Sequence, residues 1–322
     1  MEKLYYKFLK RGKQMNQKIL QLVGNIEQVI VGKKLSVIKV VLAMLCNGHV
    51  LIEDVPGTGK TQLILALSQS VAGVFHRLQL TPDIMPSDII GYTMIDPETK
   101  KMVYREGVVN CNFLLADEIN RASPKVQSGL LEVMEENQIS VDGKTYPLPE
   151  PFITFATQNP VENYGTYHLP EAQMDRFFMR LSIGYPNHAS EMEILNKNSV
   201  RSLKAALNPV WSIEDVTAMQ KEVEQVRVQD EVKKYILDLV QATRSNENVS
   251  LAISPRGSIS LFKAAKGLAY MDDRDYATPN DVRAIAVDIL AHRMILSRKG
   301  KVKFKDSRAF INYLLENISV TS

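Results

Sequence analysis

The sequence predicts a three-layer α/β core followed by an all-helical domain. Two observations carry that prediction. First, Leu51-Ile52-Glu53-Asp54-Val55-Pro56-Gly57-Thr58-Gly59-Lys60-Thr61 is an apolar run that ends in a small-residue loop closing on Gly-Lys-Thr, and apolar residues resume at Leu63. That order is strand, phosphate loop, helix. Second, helical patterns and apolar strands alternate from about Ile19 to Ile183, and only helical patterns follow from about Ala189. Alternation of this kind places helices on both faces of a mostly parallel sheet.

The elements justify themselves in order. Residues 1–18 form a basic and aromatic arm containing Lys3, Tyr5, Tyr6, Lys7, Phe8, Lys10 and Arg11. The arm has no uninterrupted apolar stretch of the signal-peptide kind. It reads as a terminal helix, with a membrane-surface or partner-docking arm as the alternative. Residues 19–186 make the core. Within it, residues 36–45 show a helical stripe of Val37, Val40, Val41, Met44 and Leu45. Residues 50–52 are a strand, 61–71 a helix and 76–80 a strand. Ser123-Pro124 opens a helix whose buried stripe is Val126, Leu130, Val133 and Met134. Residues 113–118, 152–157 and 181–183 are further strands.

Two hairpins interrupt the alternation. One joins residues 92–95 to 102–104. The other joins 139–141 to 144–146 through Asp142-Gly143, a strong two-residue turn signal. Gly184-Tyr185-Pro186-Asn187 is the hinge. Residues 187–322 form the helical domain, with helices at 232–243, 259–269, 282–296 and 309–315, and with Ser254-Pro255 and Thr278-Pro279 as start signals.

The chemistry lies at strand ends. Glycines turn backbone N–H groups toward a polyphosphate, and the following helix points its positive end at the same anion. Lys60 reaches the β- and γ-phosphates, and the Thr61 hydroxyl holds Mg²⁺. One departure stands out: Asp54 occupies the place of the first glycine in G-x-x-x-x-G-K-[ST]. The strand ending in Asp117-Glu118 brings two acids to the same sheet edge. Asp117 belongs to the Mg²⁺ shell, and Glu118 is the general base for an attacking water. Asn159, at another strand end, either orients that water or is a turn residue.

Composition bounds the rest. The chain has 322 residues, 45% of them apolar and 23% charged, the profile of a globular protein. Net charge is +3, from 39 basic and 36 acidic residues, which gives no footprint for nucleic acid or a membrane surface. No apolar run reaches the roughly 20 residues of a membrane span. Cys46 and Cys111 are the only cysteines and have no metal-like spacing. A reducing, cytoplasmic setting is expected. The five histidines are scattered and read as structural or surface residues.

Six segments together resemble the MoxR family of AAA+ ATPases, over roughly residues 20–320. Val31-Gly32-Lys33 resembles the segment that lies against adenine. Residues 53–61 resemble the Walker A loop of this family, in which Asp often replaces the first glycine. Residues 116–122 resemble Walker B, and 156–160 resemble sensor 1. Residues 169–177, Leu-Pro-Glu-Ala-Gln-Met-Asp-Arg-Phe, resemble the arginine-finger segment, and Ile253-Ser254-Pro255-Arg256 resembles sensor 2.

The resemblance implies Mg²⁺-dependent ATP hydrolysis in a ring, usually a hexamer, with ATP at subunit boundaries. Val31, Gly32, Pro56, Gly57, Thr58, Gly59, Lys60, Thr61 and Gln62 are then the nucleotide contacts, with Thr61 and Asp117 on the metal. Lys60, Glu118, Asn159, Arg176 and Arg256 carry catalysis. Arg176 would act in trans on the neighbour's nucleotide, and Arg256 on the γ-phosphate of its own subunit. The hairpins would face the ring's pore. The implied role is chaperone-like maturation of a protein client, with a von Willebrand factor A domain protein as partner. A magnesium-chelatase-type motor subunit and a nucleic-acid motor of the same clade are the alternatives.

Overall fold

Three strands of continuous apolar sequence set the centre of the molecule. The computed structural model describes residues 15–55, 57–159, 165–196 and 207–320. Helices α1 (Gln17–Glu27) and α2 (Lys34–Leu45) lead into β1 (Val50–Glu53). The phosphate loop and α3 (Lys60–Ser70) follow, then β2 (Val71–Ala72) and β3 (Phe75–Gln79). After α4 (Pro86–Ile90) comes the hairpin of β4 (Tyr92–Ile95) and β5 (Met102–Arg105). Strand β6 (Phe113–Asp117) leads to α5 (Pro124–Glu136), and the second hairpin is β7 (Gln138–Val141) with β8 (Lys144–Pro147). Strand β9 (Ile153–Gln158), the short α6 (Glu171–Met174) and β10 (Met179–Leu181) complete the core.

The main sheet has the order β10-β1-β9-β6-β3, with every pair parallel. Its central strands are buried on both faces, which is why they read as unbroken apolar runs. Alternate residues divide the core in two. Val50, Ile52, Phe113, Leu115, Ile153 and Phe155 join α1, α2, α3 and the C-terminal helices. Leu51, Leu114, Ala116 and Ala156 pack on the other side against Val126, Leu130 and Met134 of α5. The register sets Glu53 opposite Gln158, and Gln79 opposite Asp117. The functional groups therefore leave the sheet along one edge.

The C-terminal part comprises α7 (His188–Asn196), β11 (Trp211–Ser212), α8 (Ile213–Gln225), α9 (Asp230–Arg244) and β12 (Val249–Leu251). It continues through α10 (Pro255–Met271), α11 (Pro279–Leu290), β13 (Ile295–Leu296), α12 (Arg298–Lys303) and α13 (Ser307–Asn317). Three differences from the sequence reading have local causes. This part is not purely helical: β11 pairs with β2, and β12 with β13. Strands of two or three residues are too short to show a period. The helix expected over 282–296 stops at Leu290, where a 3₁₀ turn at Ala291–Arg293 intervenes. Helix α2 is buried on nearly every side, because α1 and the C-terminal helices enclose it. Both hairpins form, and Asp142 and Gly143 take φ of 51° and 76°, the turn that matches strand twist. Ser123 sits at the N-cap of α5 without a capping hydrogen bond, whereas Ser254 caps α10 by accepting from the N–H of Arg256.

Candidate nucleotide site and arginine face

The phosphate loop leaves β1 at its C-terminal end. Gly57 and Gly59 take φ of 80° and 87°, conformations open to glycine at no steric cost, and a Cβ at either would meet nothing within 4 Å. The φ values alone call for glycine at both positions. Lys60 opens α3, and its Nζ donates to the carbonyls of Asp54, at 2.6 Å, and Val55. The Thr58 hydroxyl donates to Val55 O. Thr61 follows in the first turn, half-buried. Pro56 lies outside the described residues.

Beside the loop is a cavity of about 270 Å³. Val31, Gly57, Thr58, Gly59 and Gln62 line it, with Ile183, Pro186 and Ile194 giving an apolar wall of the kind a base requires. Gly32 serves close approach: a Cβ there would fall 2.0 Å from Ser190 Oγ on α7. A larger cavity of about 590 Å³, between the end of α2 and helices α8 and α10, is lined by none of the residues named for nucleotide chemistry.

Asp117 and Glu118 emerge next to the loop. The buried Asp117 carboxylate accepts from the Thr157 hydroxyl at 3.1 Å and pairs with Arg77 Nε at 2.7 Å. Thr157 Oγ1 also accepts the N–H of Glu118, so one hydroxyl joins the two acids. Glu118 has φ of 58°, the left-handed region, strain of the kind that accumulates at functional sites. Its carboxylate bonds Arg121 at 3.0 Å. Asn159 directly follows β9 and is buried. The Thr61 hydroxyl and the Asp117 carboxylate are hard oxygen donors of the type Mg²⁺ takes. Among the described residues no three His, Cys, Asp or Glu side chains form a metal cage.

Asp54 replaces a glycine for a visible reason. Its carboxylate is buried and accepts from the backbone N–H groups of Ile183, at 2.8 Å, and Gly184, and from the Ser182 hydroxyl. Lys33 Nζ donates to the carbonyls of Ile183 and Gly184, at 3.0 and 2.7 Å. Burial lowers the pKa of Lys33, opposed by the nearby Asp54 charge. The Ile183–Gly184 backbone is thus held by an anion on its N–H groups and a cation on its carbonyls.

The two arginines lie elsewhere. Arg176 Nε is 3.2 Å from Glu135 Oε2, and Arg256 binds the other oxygen of the same carboxylate. They share an open cleft with Gly48, His49 and Phe178, residues at the N-terminal ends of β1 and β10. The phosphate loop leaves the opposite end of β1, whose four residues span roughly 13 Å. Arg256 therefore does not reach the nucleotide loop of its own chain, contrary to the role expected from the sequence; it stands beside Arg176. Helix α10, which carries it, packs against α2, α8, α9 and α11, a placement that no local pattern encodes.

Buried residues of the C-terminal part fix this face. The Arg293 guanidinium donates to the Asp175 carboxylate and to the carbonyls of Asp175 and Phe177. Burial brings its pKa down to about 10, opposed by Asp175, and it remains a cation at neutral pH. The Ser254 hydroxyl donates to the other Asp175 oxygen. Arg77, Thr157, Glu135 and Arg293 were missed in the sequence, since no motif contains them except the segment that includes Thr157.

The chain is similar to known proteins over most of its length. Residues 49–179 match the ATPase family associated with various cellular activities (AAA), and residues 241–311 match the AAA lid domain. The uncharacterized protein YeaC of Bacillus subtilis is 45% identical over 92% of this chain and 93% of its own. The chaperone MoxR1 of Mycobacterium tuberculosis is 38% identical over 92% of this chain and 80% of its own. A crystal structure from Cytophaga hutchinsonii, of a protein assigned as an ATPase, superposes with a TM-score of 0.87 at 36% identity and covers 95% of both chains.

Proposed function

Because this chain belongs to the MoxR family of AAA+ ATPases, we propose that it hydrolyses Mg²⁺-ATP at boundaries between its own copies in a ring, taken to be a hexamer, and couples hydrolysis to remodelling of a protein client. One observation carries the reading. The phosphate loop and the Arg176–Arg256 pair lie at opposite ends of β1, which favours a second copy as the source of the arginines that complete a site. In an assembled boundary, both arginines act in trans. Lys60 leaves the carbonyls of Asp54 and Val55 for the β/γ-phosphates, and Glu118 leaves Arg121 to accept a proton from water. Asn159 orients that water. Thr61 and Asp117 would hold Mg²⁺, which supplies positive charge to the phosphate oxygens.

The client half of the reading draws support from the chaperone name of the Mycobacterium relative. It draws more from the first hairpin, which exposes Tyr92, Ile95 and Met102. A von Willebrand factor A domain protein is the proposed partner, and the cytoplasm the proposed location. No helix among the described residues is long and apolar enough to cross a membrane.

Two variants test the assignment. Lys60→Ala removes the phosphate counter-charge and should abolish or severely weaken ATP binding. Glu118→Gln should bind ATP, hydrolyse it about 10²–10⁴-fold more slowly and accumulate ATP-bound oligomers. Sedimentation with and without ATP reads the second effect. Wild-type turnover in Glu118→Gln would remove Glu118 as the base.

A further inference from the structure

Glu135 lies in the last turn of α5 and belongs to no nucleotide motif. Its two carboxylate oxygens are divided between two cations, Arg176 before β10 and Arg256 in the first turn of α10. All three side chains are partly exposed, at 35%, 30% and 47%. The other acid on this face, Asp175, is engaged by Arg293 and Ser254. An acid in the last turn of a helix opposes the helix dipole. Glu135 is thus locally unfavourable and depends on the arginines for its compensation. The pattern is an anion with separate oxygens for two guanidiniums, as a terminal phosphate would offer.

We propose that Glu135 is a positioning residue that holds Arg176 and Arg256 side by side in place of a neighbouring copy's γ-phosphate. The inference rests on the trans reading above. In the uncomplexed chain, Glu135 keeps both guanidiniums at one point of the surface. When a neighbour presents ATP, its γ-phosphate takes the arginines and the carboxylate returns to water. Glu135 therefore competes with nucleotide-bearing copies, and its charge raises the ATP concentration needed for assembly and turnover.

Glu135→Gln keeps the size and removes the charge. Exposed ion pairs are individually weak, so removing both should lower the KM for ATP by about three- to tenfold at fixed protein concentration. A double-mutant cycle separates competition from a general structural effect. In an Arg256→Ala background, Glu135→Gln should lower KM by a clearly smaller factor, because one competing pair is already gone. An unchanged or higher KM in Glu135→Gln, or an equal shift in both backgrounds, overturns the proposal. Mixing Lys60→Ala with Arg176→Ala chains tests the trans reading separately. Recovered activity there, with no KM shift in Glu135→Gln, rejects the role of Glu135 alone.

Discussion

The Asp54 carboxylate accepts the backbone N–H of Gly184, which ties the start of the phosphate loop to the segment that follows β10. The same residue donates its own N–H to Gln158 O, and its carbonyl accepts from Lys60. One position therefore touches the phosphate lysine, the end of the strand that leads to Asn159 and the segment after β10. Movement of Lys60 onto a phosphate changes one of those three bonds directly.

Asp54→Gly should expose this coupling. It restores the more general loop pattern, and ATP affinity should stay within about threefold of wild type. Hydrogen bonds to a charged group contribute about 1.5–3 kcal/mol, so the amides of Ile183 and Gly184 should exchange with deuterium at least about tenfold faster. Unchanged exchange at these amides would mean that Asp54 does not hold them.

Much of this architecture is legible in the sequence, and the exceptions share a cause. Strands β1, β6 and β9 read directly because burial on both faces leaves an unbroken apolar run. The second hairpin reads from Asp142-Gly143. The positions of Lys60 and Thr61 at the start of α3, and of Asp117 and Glu118 at the end of β6, read because each follows an apolar strand in the chain. Arg77 does not, since it meets Asp117 only through the pairing of β3 with β6. Glu135 and Arg256 are 121 positions apart, and only the docking of α10 joins them. The contacts of Asp54 with Ile183 and Gly184 are equally remote, at 129 and 130 positions.

Acid should weaken the fold through His49. Its ring is buried between β9 and the end of α5: Nδ1 accepts from Thr154 N–H, and Nε2 lies 2.8 Å from Met134 O. An accepting Nδ1 makes Nε2–H the donor, so the neutral form is the one bonded. Burial lowers its pKa from 6.5 to about 4. The unfolded chain then binds the extra proton below pH 6.5, and stability falls as pH drops toward 4. His49 accounts for about 2 kcal/mol of loss between pH 7 and pH 5. His292 shifts in the same direction, through burial first and the Arg293 charge second. His49→Gln can accept and donate with its amide, so its denaturation free energy should fall less steeply over that range. An acid slope equal to wild type would exclude His49 as a contributor.

The second hairpin should be separable from hydrolysis. Tyr146 stacks on Tyr104 at 4.3 Å between ring centres, which anchors β8 to the first hairpin, whereas Lys144 and the turn stand outside that contact. Replacing residues 141–145 with a short Gly-Ser loop should leave ATP binding and basal hydrolysis largely intact. Capture of a client by ATP-bound oligomers should be lost. Loss of folding, read by thermal melting, would instead make the hairpin part of the core; weaker, less salt-dependent binding of single-stranded DNA would favour a nucleic-acid motor.

The central claim is that each ATP is hydrolysed with arginines from another copy. Arg176→Ala alone should lose on the order of 10³-fold or more in turnover, the scale of an arginine finger. Lys60→Ala alone should also be inactive. The direct measurement is the ATPase rate of the two variants co-assembled, with mixing verified by differently tagged chains. Boundaries that pair an intact phosphate loop with an intact Arg176 should restore a measurable part of wild-type activity. Verified mixed assemblies that remain as inactive as either variant alone would contradict the account.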